Sequence, residues 1–224
     1  MTLSIVMPVL NEAAGIEAAL GALAPLRARG AEVIVVDGGS RDGTPAIAAP
    51  HADRVVTAPR GRAVQMNAGA AAATGDVLLF LHADTQLPEG ADRLVTEGLT
   101  QTGRVWGRFD IRFDRGLAFV ALTMNLRSRA TGVATGDQAM FMTRAAFDAA
   151  GGFPAIALME DVALSTRLNR IGRPLCLRAR VTTSGRRWRQ RGTVRTILLM
   201  WSLRLRYVLG ADPARLAQAY DGKR

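Results

Sequence analysis

The stretch Val77-Leu-Leu-Phe-Leu-His-Ala-Asp-Thr85 decides how this chain is read. Its first five residues are apolar without polar alternation and are too few for a helix, so they predict a strand buried on both faces. The run stops abruptly at His82, Ala83 and Asp84. In an open α/β sheet, ligands bind outside the carboxyl ends of the strands, so a histidine and an acid leaving a central strand together form a candidate site. The competing reading has Asp84 capping a helix that begins near Pro88.

The segments before it repeat one pattern. Leu3–Leu10 is an apolar strand with Pro8 near its end, where a missing backbone donor is tolerated. Asn11-Glu12 opens an alanine-rich helix to about Leu23, Glu32–Val36 is the second strand, and Arg54–Thr57 is a brief third. Gly61–Ala73 is a further helix, and Thr74-Gly75 breaks it before the central strand. Strands alternating with helices predict an α/β fold with a mostly parallel sheet. The second strand ends in Asp37-Gly-Gly-Ser-Arg-Asp-Gly-Thr44, whose spacing is not Gly-x-Gly-x-x-Gly and does not follow the first strand, which disfavours a Rossmann dinucleotide site. Asp37 can accept hydrogen bonds from a base or ribose, or it can simply organise the turn.

The second half is less regular. Pro88–Leu99 reads as a helix, Arg104–Phe113 as a strand with one wet face, and Gly116–Ala130 as a helix whose apolar stripe is either core or the lining of a cleft. Asp137 and Gln138 precede the apolar run that ends at Met142. Glu160 and Asp161 open a helix to about Arg170, where the helix dipole alone would favour acids. Leu175–Thr182 returns as a strand. Ser184–Gly192 is expected to be a basic loop around Trp188, in which Arg187 and its neighbours can meet phosphate while the indole stacks on a ring. Val194–Leu209 mixes apolar residues with Arg195, Arg204 and Arg206, so it either packs on the domain or lies in a membrane interface.

Composition limits the alternatives. At 224 residues and 49% hydrophobic content the chain can bury a substantial core. The net charge of +10 comes almost wholly from arginine, with Lys223 the only lysine, and it is concentrated in the C-terminal part. That excess suits an anionic partner such as a phosphorylated ligand or an acidic lipid surface. With 5% aromatic residues and no known nucleic-acid module, nucleic acid is disfavoured. The single cysteine, Cys176, excludes an internal disulfide framework and suits a reducing compartment. No basic stretch precedes a long apolar run at the N-terminus, and no run has transmembrane length, so the expected location is the cytoplasm, with contact at the inner face of the membrane as an extension.

Ser4–Glu12, Val33–Thr44, Gly61–Gly69, Leu78–Thr85 and Met159–Asp161, in this order, resemble the nucleotide-binding half of family 2 glycosyltransferases of the GT-A fold. The resemblance implies a GT-A domain over 1–192 with a C-terminal helical extension over 193–224. It implies transfer, with inversion, from a nucleotide-diphosphate sugar, UDP-sugars first, to an acceptor hydroxyl. Pro8 and Glu12 would border the nucleotide, Asp37 would meet the base, and Arg62 and His82 would serve base, ribose or phosphates. Asp84 would hold a divalent ion, Mn2+ or Mg2+. Asp137, Gln138, Glu160, Arg187 and Trp188 would serve donor or acceptor, and Asp161 would be the general base. Two positions depart from the family: Gly38 where a second acid is common, and His82 where the metal motif often begins with Asp. Gly61–Asn67, His82-Ala-Asp84 and the Arg-Arg-Trp segment are most similar to the bacterial subgroup assigned to arsenosugar biosynthesis. The rival readings are a nucleotidyltransferase, which would release pyrophosphate, and a non-catalytic basic module for lipid or nucleic acid.

Overall fold

A computed structural model describes residues 1–222, with the side chains of Arg187 and Asp221 outside the described set. The first half is β1 (Leu3–Val9), α1 (Ile16–Gly21), α2 (Ala24–Ala28), β2 (Glu32–Asp37), α3 (Thr44–Ala48), β3 (Arg54–Thr57), α4 (Arg62–Ala72), β4 (Val77–Phe80) and β5 (Thr85–Gln86). There follow α5 (Ala91–Thr102), β6 (Trp106–Phe113), α6 (Ala118–Thr131), β7 (Phe141–Thr143), α7 (Arg144–Ala149), α8 (Glu160–Ile171) and β8 (Leu175–Thr183). The chain then continues through α9 (Arg186–Arg191), α10 (Thr193–Val208) and α11 (Pro213–Asp221).

The strands form one sheet in the order β3-β2-β1-β4-β7-β6-β8-β5. Its first four are mutually parallel, β7 runs antiparallel to both of its neighbours, and β6 and β8 are again parallel. The expected α/β class holds, in a mixed sheet. Alternate residues feed two cores: Ile5, Met7, Val35 and Leu79 face one side, and Val6, Ile34, Leu78 and Phe80 the other. Period-two side chains that are apolar on both faces require helices on both, which explains the unbroken apolar runs. On the second side α4 comes so close that a Cβ on Gly69 would lie 2.3 Å from Val6 Cγ1 and 2.8 Å from Val36 Cγ2.

The topology turns at β1. From it the chain builds outward through β2 and β3, then returns to place β4 on its other side. The gap outside the carboxyl ends of β1 and β4 is therefore the switch point at which such sheets bind ligands.

Several sequence expectations are corrected. The first helix starts at Ile16 rather than at Asn11-Glu12, because Asn11 adopts a left-handed conformation (φ 55°) and the chain turns before the helix forms. The helix after the central strand starts at Ala91, capped by Gly90, so Asp84 is not its cap. β6 is buried on both faces except at Arg112: Arg108, fully buried, pairs with Asp110, which also takes a 2.6 Å hydrogen bond from Arg129 of α6. Buried charge is tolerated where it is paired in this way. The segment 184–192 is mostly helix α9 rather than a loop.

Candidate active site

An open cleft of about 600 Å3 lies at the switch point. Pro8, Val9, Leu10 and Glu12 reach it from the end of β1, and His82, Ala83 and Asp84 from the end of β4. Arg60, Gly61, Arg62 and Gln65 reach it from the start of α4. The geometry depends on Gln65, which is buried and donates from Nε2 at 2.8 Å to the carbonyls of both Val9 and Val36. It thereby ties the ends of β1 and β2 to α4. Sequence reading quoted Gln65 inside a motif without a role, since only the fold shows that two carbonyls converge on it.

On the floor of the cleft, Asp84 sits exposed in the turn after β4. Its carboxylate raises the pKa of Glu12, where burial acts first, Asp84 adds repulsion, Arg186 opposes it, and Asp42 contributes least. Two acids facing one cleft, their repulsion only partly offset by Arg186, suit a cation. Among the described residues no group of three or more His, Cys, Asp or Glu is arranged to hold a metal by itself. The donors thus fit a hard ion completed by phosphate oxygens and water, with Asp84 as a carboxylate that could hold it, rather than a closed protein cage.

Beside this floor, the start of α8 meets the segment 135–138. Met159 adopts a left-handed conformation (φ 71°), which turns Glu160 and Asp161 into the first helical turn. Non-glycine residues in such a conformation cost free energy and concentrate at functional sites. Asp161 Oδ2 accepts a 2.8 Å hydrogen bond from the Gly136 amide and Oδ1 one of 2.7 Å from Val162. Both oxygens are oriented by backbone, and each keeps a lone pair for a hydroxyl. Glu160, 2% exposed, pairs through Oε1 with Arg62 Nε at 3.0 Å, while its Oε2 is buried without a hydrogen-bond partner. Burial raises the Glu160 pKa; Arg62 opposes this and Asp161 reinforces it. For Arg62, burial works against the charge, but Glu160, Asp161, Tyr220 and Asp137 outweigh it and its pKa is raised. His82, Glu160 and Asp161 also line one small cavity with Gly136 and Phe153.

His82 Nδ1 lies 3.6 Å from Asp137 Oδ1. Burial depresses the charged imidazole, yet the nearby Asp137 carboxylate outweighs it and the net pKa is raised above the ordinary 6.5. A raised folded-state value means that this pair stabilises the fold fully below the unfolded pKa and loses its contribution as pH rises through the folded one. The chain has two histidines, so the test is direct. In metal-free buffer, NMR titration is expected to place the His82 midpoint above the ordinary 6.5, and Asp137→Asn to bring it down. An unchanged midpoint in the variant would remove Asp137 as the cause.

Other expected site residues fall elsewhere. Asp37 is buried and its carboxylate accepts the amides of Gly39 and Ser40, so it organises the glycine turn, which borders a second hollow beside Arg41 and Arg60. Gln138 is fully buried, its Oε1 accepting the Thr135 amide in a capping box, so it shapes the 135–138 segment rather than facing a ligand. Trp188 is not free to stack on a ligand: it packs edge-on against Phe113, ring centroids 5.9 Å apart, at the margin of the first core. Arg189 is bound to Asp114. The side chain of Arg187 lies outside the described residues. Sequence reading placed a helical extension over 193–224 but gave it no part in the site; Ala217 and Tyr220 of α11 line the cleft, as do Ala157 and Leu158. No local motif marks them.

Residues 4–148 match the family model described as glycosyl transferase family 2. The chain belongs to this family. Among solved structures, S. aureus TarS 1–349 in complex with UDP-GlcNAc superposes with a TM-score of 0.68 at 18% identity, over 82% of this chain and 58% of that one. The mannosyltransferase PcManGT from Pyrobaculum calidifontis, in complex with GDP-Man and Mn2+, gives 0.67 at 21% identity over 97% and 68%. Glucosyl-3-phosphoglycerate synthase from Mycobacterium tuberculosis, with Mn2+, UDP and glucosyl-3-phosphoglycerate, gives 0.54 at 22% over 81% and 70%. The family 2 chain described here thus spans less than two thirds of the TarS chain. At these identities the likeness establishes the GT-A-type fold, and the cleft at the β1–β4 switch point is where that fold leaves room for a ligand. No curated protein matches.

Proposed function

We propose that this protein transfers a sugar from a nucleoside-diphosphate sugar to an acceptor hydroxyl, with inversion at the anomeric carbon and with a divalent ion on Asp84. The observation that carries this reading is the meeting, at one switch-point cleft, of an exposed acid at the floor, basic side chains along the wall and a backbone-oriented acid beside them. Arg62 and Arg60 offset phosphate charge, and Pro8, Glu12 and the Asp37 turn border the nucleoside. Asp161 takes the acceptor proton. The acceptor oxygen then bonds to the anomeric carbon as that carbon's bond to the diphosphate oxygen breaks, and the nucleoside diphosphate departs with the electron pair. A bound Mn2+ or Mg2+ supplies Lewis-acid neutralisation of that leaving group. Glu160 holds Arg62 in place, and Asp137 with His82 borders the sugar.

A UDP-sugar is the first donor to test because of the motif resemblance, with GDP-sugars beside it because PcManGT was captured with GDP-Man. The narrower likeness to arsenosugar biosynthesis rests on the motifs at Gly61–Asn67, His82–Asp84 and the Arg-Arg-Trp segment, and the division at residue 192 on Gly192, where α9 ends and α10 begins. Incubating UDP- and GDP-sugars with the protein and Mn2+ or Mg2+ is expected to release the nucleoside diphosphate slowly to water in one nucleotide series. Release of pyrophosphate from a nucleoside triphosphate instead would make it a nucleotidyltransferase.

A further inference from the structure

Large apolar side chains that stay exposed are concentrated on two helices. On α10, Val194, Leu198, Trp201, Leu205 and Val208 recur every three or four residues, and each is at least 60% exposed. That spacing puts them on one side of the helix. On α6, Phe119 (73% exposed), Leu122 and Leu126 form a second such stripe. The opposite sides of both helices are satisfied: Val120 and Ala121 of α6 and Ile197 of α10 join the first core, and Leu203 of α10 packs with Leu158 and Leu216. The stripes are therefore surplus to folding. Helix α9 links the two regions, since Trp188 meets Phe113 just before α6, Gly185 lies against Leu117, and α10 follows α9 directly. Exposed apolar stripes of this kind mark an interaction site.

We propose that the exposed sides of α6 and α10 together form a surface that docks on an anionic lipid bilayer. Charge selects the occupant. No acidic residue occurs between Asp161 and Asp212 or between Asp114 and Asp137, so neither helix carries one. Exposed Arg115 lies just before α6, and exposed Arg195 and Arg206 lie on α10 itself. A second copy of this face would bring arginines against arginines, whereas acidic headgroups neutralise them while Trp201 and the aliphatic side chains enter the acyl boundary. The helix lies on the bilayer and does not cross it: the 16 residues of α10 rise about 24 Å, short of the roughly 30 Å hydrocarbon core. Among the described residues no helix is long and apolar enough to span a membrane. Because α10 leads into α11, whose Ala217 and Tyr220 line the cleft, the docked face is joined through one short turn to the site.

Docking does not depend on sugar transfer, so vesicle binding and turnover fail separately. The full chain is sedimented with vesicles of phosphatidylcholine alone and with added phosphatidylglycerol, at low and raised salt. Binding is expected to favour the anionic vesicles and to weaken with salt. Brominated lipid is expected to quench fluorescence that Trp201→Phe removes, since Trp106 is buried and Trp188 is packed against Phe113. Leu198→Ser with Leu205→Ser, and separately Phe119→Ser with Leu122→Ser, are each expected to weaken binding by at least about tenfold with unchanged circular dichroism. Absence of binding, indifference to lipid charge, or insensitivity to the α6 pair overturns the proposal. So does a stable dimer in light scattering that the same substitutions dissolve, which would assign the face to a second copy.

Discussion

Asp161→Asn is expected to fold normally, bind nucleotide like the parent and turn over about 10²-fold or more slowly, the usual scale for loss of a general base. The amide keeps the size of the side chain and still offers one oxygen to the Gly136 or Val162 amide, so the hold on the 135–138 segment is largely kept. What it loses is the ability to take a proton. A merely structural acid at this helix start would contribute about 0.3–1 kcal/mol through the dipole and leave turnover nearly intact. Nucleotide titration must accompany the rate, because Asp161 also acts on Arg62 through space. Glu160→Gln is the control beside it. Its effect should appear in nucleotide affinity, through Arg62, rather than in the acid–base step. If Asp161→Asn keeps near-parental turnover while Glu160→Gln does not, the base is Glu160; if both remain active, it must be sought at Asp137.

The second large effect is expected at Asp84. Calorimetry of UDP or GDP binding should show affinity that rises with Mn2+ or Mg2+ in the parent, and Asp84→Ala should lose most of that dependence. Loss of even an outer partner of a metal ligand typically costs about 10–100-fold in affinity, so removal of the protein carboxylate itself should reach at least the lower figure. The fold should tolerate the change, since Asp84 is exposed and, among the described residues, its only side-chain hydrogen bond is a long one of 3.4 Å from Thr85. The same substitution removes the larger part of the repulsion acting on Glu12. Metal-dependent affinity that survives unchanged would take Asp84 out of the site.

The α/β class was legible in residues 3–10, 32–37 and 77–81 because an apolar run buried on both faces is a local pattern that few other structures can use. The positions of the acids at strand ends and helix starts were legible as well: Asp84 and Asp161 follow directly from where a strand ends and a helix begins. Local patterns failed where a distant element changed the environment. Arg108 and Asp110 look solvent-facing in alternation, yet both are buried and α6 brings Arg129 to pair with Asp110. Trp188 and its arginines read as a loop, but the turn of α9 and the ring of Phe113 give the indole an apolar partner. The sequence by itself determined that this chain folds as helices around a sheet and which acids its strand and helix ends would present. Only the tertiary structure decided that Gly136 would orient Asp161, that Gln65 would tie the ends of β1 and β2, that Arg62 would pair with Glu160, and that α11 would return to the cleft. Each of these is a contact between residues far apart in the chain, and its geometry is set by how the elements pack against one another, which no local spacing encodes.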